Sequence, residues 1–252
     1  MREIGFERLG GAQMFRQRVN VFVGHFGSGK TEVALNVAIQ MAAAGRRVAL
    51  VDLDVVKPYF RSRSARDLLL EAGVELVAPE GDDLLADIPI VAPRVRSLCR
   101  DGVTHVVMDA GGDDTGARAL GSLSDVLDDE TLAVTLVLNF RRPFTPDVAA
   151  AVVMAREIEA AARVKVTGVV SNTHLMGQTT ASVILEGASL AAKTAAELCV
   201  PLLAVAVEDR MFEAVKDAAL PGPVLLLHRF VQPPFDQEGY KVPKSGPLFK
   251  LL

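Results

Sequence analysis

The chain has 252 residues, 50% of them hydrophobic, only 5% aromatic and none Trp. One α/β domain of this length buries an ordinary core, and an Ala-, Val- and Leu-rich composition suits parallel strands covered by Ala-rich helices. A net charge of −4 and a pI of about 5.6 give no general electrostatic reason to bind nucleic acid or an acidic membrane, and neither partner is expected.

Residues 1–17 read as an N-terminal extension, mixing charges and glycines without the apolar stretch of a signal peptide. In chain order, strands are expected at Arg18–Val23, Val48–Asp52, Val74–Val77, His105–Asp109, Leu132–Asn139, Val164–Ser171, Leu202–Val207 and Val224–Phe230. Helices are expected over 30–44, 61–72, 91–101, 115–128, 146–162, 180–198 and 210–219. The strand runs are continuously apolar, as strands buried on both faces require. Gly45 is placed to end the first helix, and Thr145, Pro146 and Asp147 to start another as capping hydroxyl, first-position proline and acid facing the dipole. The predicted architecture is a three-layer, doubly wound α/β domain over 18–231, its sheet mostly parallel with about seven or eight strands. A Pro/Gly-rich tail, 232–252, follows. Apolar runs such as Leu132–Leu138 are too short for stable membrane insertion, and the cytoplasm is the expected compartment. Cys99 and Cys199 lie far apart and read as small buried apolar residues, with a bridge across a dimer as the alternative.

The segment Gly24-His25-Phe26-Gly27-Ser28-Gly29-Lys30-Thr31 has the spacing G-x-x-x-x-G-K-[ST] between an apolar strand and a helix. Such a loop turns backbone N–H groups inward around phosphate, so Gly24, Gly27, Ser28 and Gly29 are candidate phosphate binders. Lys30 would sit on the β- and γ-phosphates and the Thr31 hydroxyl on Mg²⁺. The next strand ends in Asp52-Leu53-Asp54: the two carboxylates could serve Mg²⁺ and its water shell, one of them orienting the attacking water, unless both are solvated loop acids. In Asp109-Ala-Gly-Gly112-Asp-Asp114, Asp109 reads as a Walker B acid and Gly112 as a hinge giving an N–H to the γ-phosphate. Asp113 and Asp114 are metal-proximal or only begin a helix. Asn172 follows a strand where an amide can pair with a purine edge. A guanine site needs an Asp three residues further on; Leu175 stands there, which favours adenine.

The order of the P-loop, Val-Asp52-Leu-Asp54 and Asp109-x-x-Gly112 resembles the MinD/ParA/CobQ-like (SIMIBI) class of P-loop ATPases. The stretch Asp52 to Arg63 resembles a bacterial branch sometimes likened to cobyrinic acid a,c-diamide synthase. The resemblance implies a P-loop NTPase fold, ATP and Mg²⁺ as cofactors, Lys30 and Thr31 on phosphate and metal, and Asp54 as the water-activating acid. It implies Asp52 and Asp109 in the metal shell, Asn172 near adenine, and the loop Val207–Asp209, with Glu208 at its centre, lining the base. Three features depart from the class. His25 stands where MinD and ParA place a signature Lys, the tail has no amphipathic basic helix for membrane docking, and no cysteine pair is present for a bridging iron–sulfur cluster.

Lys57, Arg61, Arg63, Arg66, Arg141 and Arg142 gather at the same sheet edge, either to bind an anionic second substrate or partner or as a solvated face. His174 has no nucleophile motif beside it. The leading expectation is a hydrolase, an ATPase coupled to a partner or conformational switch. A ligase activating a carboxylate, as dethiobiotin synthetase does, and a nucleotide-switched scaffold or metalloenzyme maturation factor are the alternatives. The partners expected are ATP, an unidentified second substrate or protein, and a second copy of the chain.

Overall fold

The structure is a computed structural model that describes residues 11–53, 63–78, 93–111, 114–127 and 130–230. Eight strands form one sheet: β1 Val19–Val23, β2 Val48–Leu53, β3 Val74–Val77, β4 His105–Ala110, β5 Leu132–Leu138, β6 Gly168–Ser171, β7 Leu202–Glu208 and β8 Val224–Leu227. Their order is β3-β2-β4-β1-β5-β6-β7-β8, and every pairing is parallel. The expectation of a mostly parallel sheet thus resolves into a fully parallel one. The chain leaves β1 towards β2 and β3 on one side, then after β4 crosses β1 to build β5 to β8 on the other. Strand β1 is therefore the topological switch point, where ligands of open α/β sheets bind.

Eight helices are described: α1 Gly11–Met14, α2 Lys30–Ala43, α3 Arg63–Glu71, α4 93–100, α5 Asp114–Gly121, α6 Val148–Ala162, α7 Ala181–Glu197 and α8 Phe212–Val215. Strands β1 and β2 are buried along their whole length, which accounts for their unbroken apolar runs. One face carries Phe22, Leu50, Val107 and Val137 under α2; the other carries Val21, Val51, Met108 and Leu136 under α5, α6 and α7. Of the expected N-terminal extension, residues 11–17 lie against the first face. Phe15 is buried and meets Phe22 edge-on at 5.2 Å, and Arg46 Nη2 donates to Ala12 O at 2.7 Å.

Helix α2 ends as its glycine predicts, Gly45 N–H reaching Ala42 O at 2.9 Å and Arg46 N–H reaching Met41 O at 3.1 Å. Its polar stripe closes the far end of the fold. Gln40 Nε2 donates to Leu226 O, Asn36 both donates to His228 O and accepts from His228 N–H, and Glu32 accepts from Phe230 N–H. Residues 226, 228 and 230 share one edge of an extended chain, so the side chains of α2 satisfy backbone groups that an edge strand otherwise leaves open.

The differences from the expected boundaries are local. Helix α6 starts at Val148: Asp147 is its cap, accepting from Ala150 N–H at 2.9 Å, while the Thr145 hydroxyl donates to Asn139 O at 3.0 Å. Strand β6 begins at Gly168, and just before it Val166 N–H donates to Glu159 Oε1 at 3.0 Å. Cys99 is buried as expected and burial raises its thiol to about 11, but Cys199 is exposed, in a left-handed turn (φ 56°) after α7.

Candidate nucleotide site

The P-loop leaves β1 at the switch point and opens α2, so it lies between a strand end and a helix N-terminus, which favours an anion. At two of its glycines a side chain also has no room. At Gly24 (φ 149°) a Cβ would overlap Val137 O, and at Gly29 (φ 84°) it would overlap the Asn172 amide. Ser28 N–H donates to His25 O at 3.1 Å, closing the turn. The Ser28 hydroxyl is buried and has no bonding partner among the described residues. Lys30 is buried as the first residue of α2.

Parallel pairing sets Asp52 beside Asp109 across β2 and β4 and Phe22 beside Asp109 across β1 and β4. Both carboxylates are buried at the strand ends next to the loop. Thr31 Oγ1 donates to Asp109 Oδ2 at 2.6 Å, so the P-loop hydroxyl and the acid ending β4 meet although 78 residues apart. A hydroxyl and two neighbouring carboxylates beside the P-loop form an all-oxygen donor set. Mg²⁺ is held in this way, by one or two carboxylates plus substrate phosphates. The residues present fit Mg²⁺ and a nucleotide phosphate chain. Asp54 and Gly112 lie outside the described residues, as do Asp113, Lys57 and Arg61.

The loops after β5 and β6 surround the P-loop. Asn172 is buried, and its Nδ2 donates to Ser28 O at 2.8 Å, so its amide bonds the loop itself. Arg142 Nε donates to Gly27 O at 2.9 Å, whereas Arg141 turns outward and pairs with Glu186. Arg66 lies exposed on α3, so the three members of the expected basic cluster whose side chains are described, Arg66, Arg141 and Arg142, stand in different surroundings. Residues 209–211 form a short turn after β7, in which Glu208 pairs with Arg210 at 2.8 Å and Asp209 with His228 at 2.9 Å. Sequence reasoning missed Asn139. Fully buried, it accepts from Arg141 N–H at 3.0 Å and His174 N–H at 3.3 Å and donates to His174 O at 3.3 Å, tying the two loops together. Its signal was an amide at a strand end. Burial, with Arg142 and Arg229 nearby, pushes His174 down to about 4, so its ring is neutral at pH 7.

Residues 24–186 match the CbiA family model, the CobQ/CobB/MinD/ParA nucleotide binding domain, over more than half of the chain and from the first P-loop residue. The chain belongs to this family. It is thus a P-loop nucleotide-binding domain of the SIMIBI class. In this member the loop position of the signature Lys holds His25, whose ring stacks on Phe144 at 4.1 Å with an interplanar angle of 23°. A comparison with curated proteins gives no match. Among solved structures, chloroplast FtsY from Physcomitrella patens aligns with a TM-score of 0.50 and 19% identity over 74% of this chain and 57% of that one. FtsY from Thermotoga maritima gives 0.49 and 21% over 73% and 59%. The signal recognition particle 54 kDa protein from Aeropyrum pernix, solved with GDP, gives 0.48 and 20% over 74% and 40%. The chain spans 57–59% of the FtsY chains, and at these identities the likeness is one of fold. None of the described helices is long and apolar enough to cross a membrane.

Proposed function

We propose that this protein binds Mg-ATP in the Gly24–Thr31 loop and hydrolyses it slowly, with turnover coupled to a partner or a conformational change. The observation that carries the reading is the 2.6 Å bond between Thr31 Oγ1 and Asp109 Oδ2. A P-loop hydroxyl bonded to a strand-end carboxylate supports the reading of one divalent cation shared with phosphate.

In phosphoryl transfer the protein mainly positions the reactants and offsets developing charge. The glycine-rich loop orients N–H groups towards the phosphates, and Lys30 adds a compact positive charge. Thr31, Asp52 and Asp109 would hold Mg²⁺, which would supply neutralisation of phosphate charge. By sequence position, Asp54 is assigned to the attacking water and Gly112 to the γ-phosphate side of the site. Adenine is supported by Leu175, which stands where a guanine site needs an acid. Asn172 and the Glu208 loop are assigned to the base side of the site.

The test is ADP release from Mg-ATP by the purified full chain, alongside Lys30→Ala, Asp54→Ala and Asp109→Asn. Lys30→Ala should lose nucleotide binding. Asp54→Ala should keep binding and lose turnover by about a hundredfold, the scale of removing one group that acts on the reacting water. Tight ATP binding without turnover in the wild type would overturn the hydrolase reading in favour of a nucleotide switch. Turnover appearing only with an added carboxylate substrate would favour a ligase, and a preference for GTP would correct the base assignment.

A further inference from the structure

The P-loop is gripped from outside at two successive carbonyls, Gly27 O by Arg142 Nε at 2.9 Å and Ser28 O by Asn172 Nδ2 at 2.8 Å. In a trans peptide the C=O and the following N–H point in opposite directions, so holding a carbonyl orients the amide behind it. The Gly27–Ser28 unit is held at both ends, because Ser28 N–H also donates to His25 O at 3.1 Å. Arg142 is itself anchored: its N–H reaches Asn139 O at 3.2 Å, and Thr145 N–H reaches Arg142 O at 3.1 Å. Phe144, from the same turn, stacks on His25 and makes a second contact between this loop and the P-loop.

We propose that Arg142 is a positioning residue of the nucleotide site, holding the Gly27–Ser28 peptide so that the loop keeps its phosphate-binding shape and bringing a positive charge to the rim of that cradle. The proposal rests on the nucleotide-binding reading above. Among the described residues no carboxylate pairs with Arg142, in contrast to Arg141 and its partner Glu186. The charge next to the P-loop is therefore left to act on an anionic ligand, and a hydrogen bond from a guanidinium is among the stronger kinds. Its field also reaches the next loop, since Arg142 is one of the two cations that help hold His174 neutral. An amide at this position would retain a donor for Gly27 O without the charge; a lysine would retain both charge and donor but lose the planar fork.

The experiment measures dissociation constants of Mg-ATP and Mg-ADP for the wild-type chain and for Arg142→Ala, Arg142→Gln and Arg142→Lys, with the urea midpoint of each. Arg142→Ala should weaken both nucleotides alike by roughly tenfold or more, the loss of one charge-assisted hydrogen bond, with the urea midpoint kept. Arg142→Lys should recover most of that affinity and Arg142→Gln less of it. The proposal is overturned if Arg142→Ala binds ATP and ADP within about twofold of wild type, or if affinity and urea midpoint fall together with no recovery by lysine. A wild-type chain that binds neither nucleotide overturns the nucleotide reading as well; normal wild-type binding with an unaffected Arg142→Ala overturns the proposal alone.

Discussion

At Gly29 the backbone turns through φ 84°, and any side chain would push into the Asn172 amide that holds Ser28 O. Gly29→Ala therefore costs twice, in backbone strain of about 1–2 kcal/mol and in a displaced loop. The expected outcome is a lower urea midpoint together with at least a tenfold loss of ATP affinity, read by denaturation and titration on the same sample. The requirement for glycine was legible in the motif, but its local reason was not. Asn172 is 143 residues away along the chain, and only folding brings it beneath the loop.

Helix α6 shows how far element-level signals reach. Three residues in a row, Thr145, Pro146 and Asp147, each suit a helix start; the sequence reading makes Thr145 the cap and Pro146 the first helical residue, which the structure corrects. The choice is tertiary: the Thr145 hydroxyl is drawn to Asn139 O at the end of β5, leaving Asp147 to cap. Asp147→Ala should then cost about 1 kcal/mol of stability, the usual worth of a capping side chain. If Thr145→Ala lowered the urea midpoint while Asp147→Ala did not, the cap would belong to Thr145 after all. Strand β8 makes a similar point. Its apolar run is plain in the sequence, whereas the Glu32, Asn36 and Gln40 stripe on α2 that meets its edge looks from sequence like an ordinary polar helix face. Asn36→Leu keeps the volume but leaves both His228 backbone groups without their partner, so amide exchange over 226–230 should accelerate.

Across the whole molecule, buried titratable groups make stability depend on pH. His174 is held neutral down to about 4 in the fold, while an unfolded histidine takes up its proton near 6.5. Between these values the unfolded chain binds a proton that the folded chain refuses, so stability falls as pH drops through this window. The loss is complete near pH 4 and on the order of 3 kcal/mol at most. His105 is shifted downwards too, first by burial and then by Arg46, and acts in the same direction. Urea midpoints at pH 7 and 4.5 for wild type and His174→Gln isolate the His174 part. The variant should lose distinctly less stability on acidification, and equal losses would refute the assignment.

The sequence by itself determined the alternation of strands and helices, the parallel sheet, the P-loop and the acids at the ends of β2 and β4. Each of these depends on spacing within a short segment, and hydrophobic periodicity and glycine placement are local properties. Tertiary structure alone decided that Thr31 meets Asp109, that Arg142 and Asn172 grip the P-loop, and that Arg141, next to Arg142 in sequence, pairs with Glu186 instead. Those contacts join residues 45 to 144 positions apart, and their partners are chosen by strand order and by where each loop leaves the sheet.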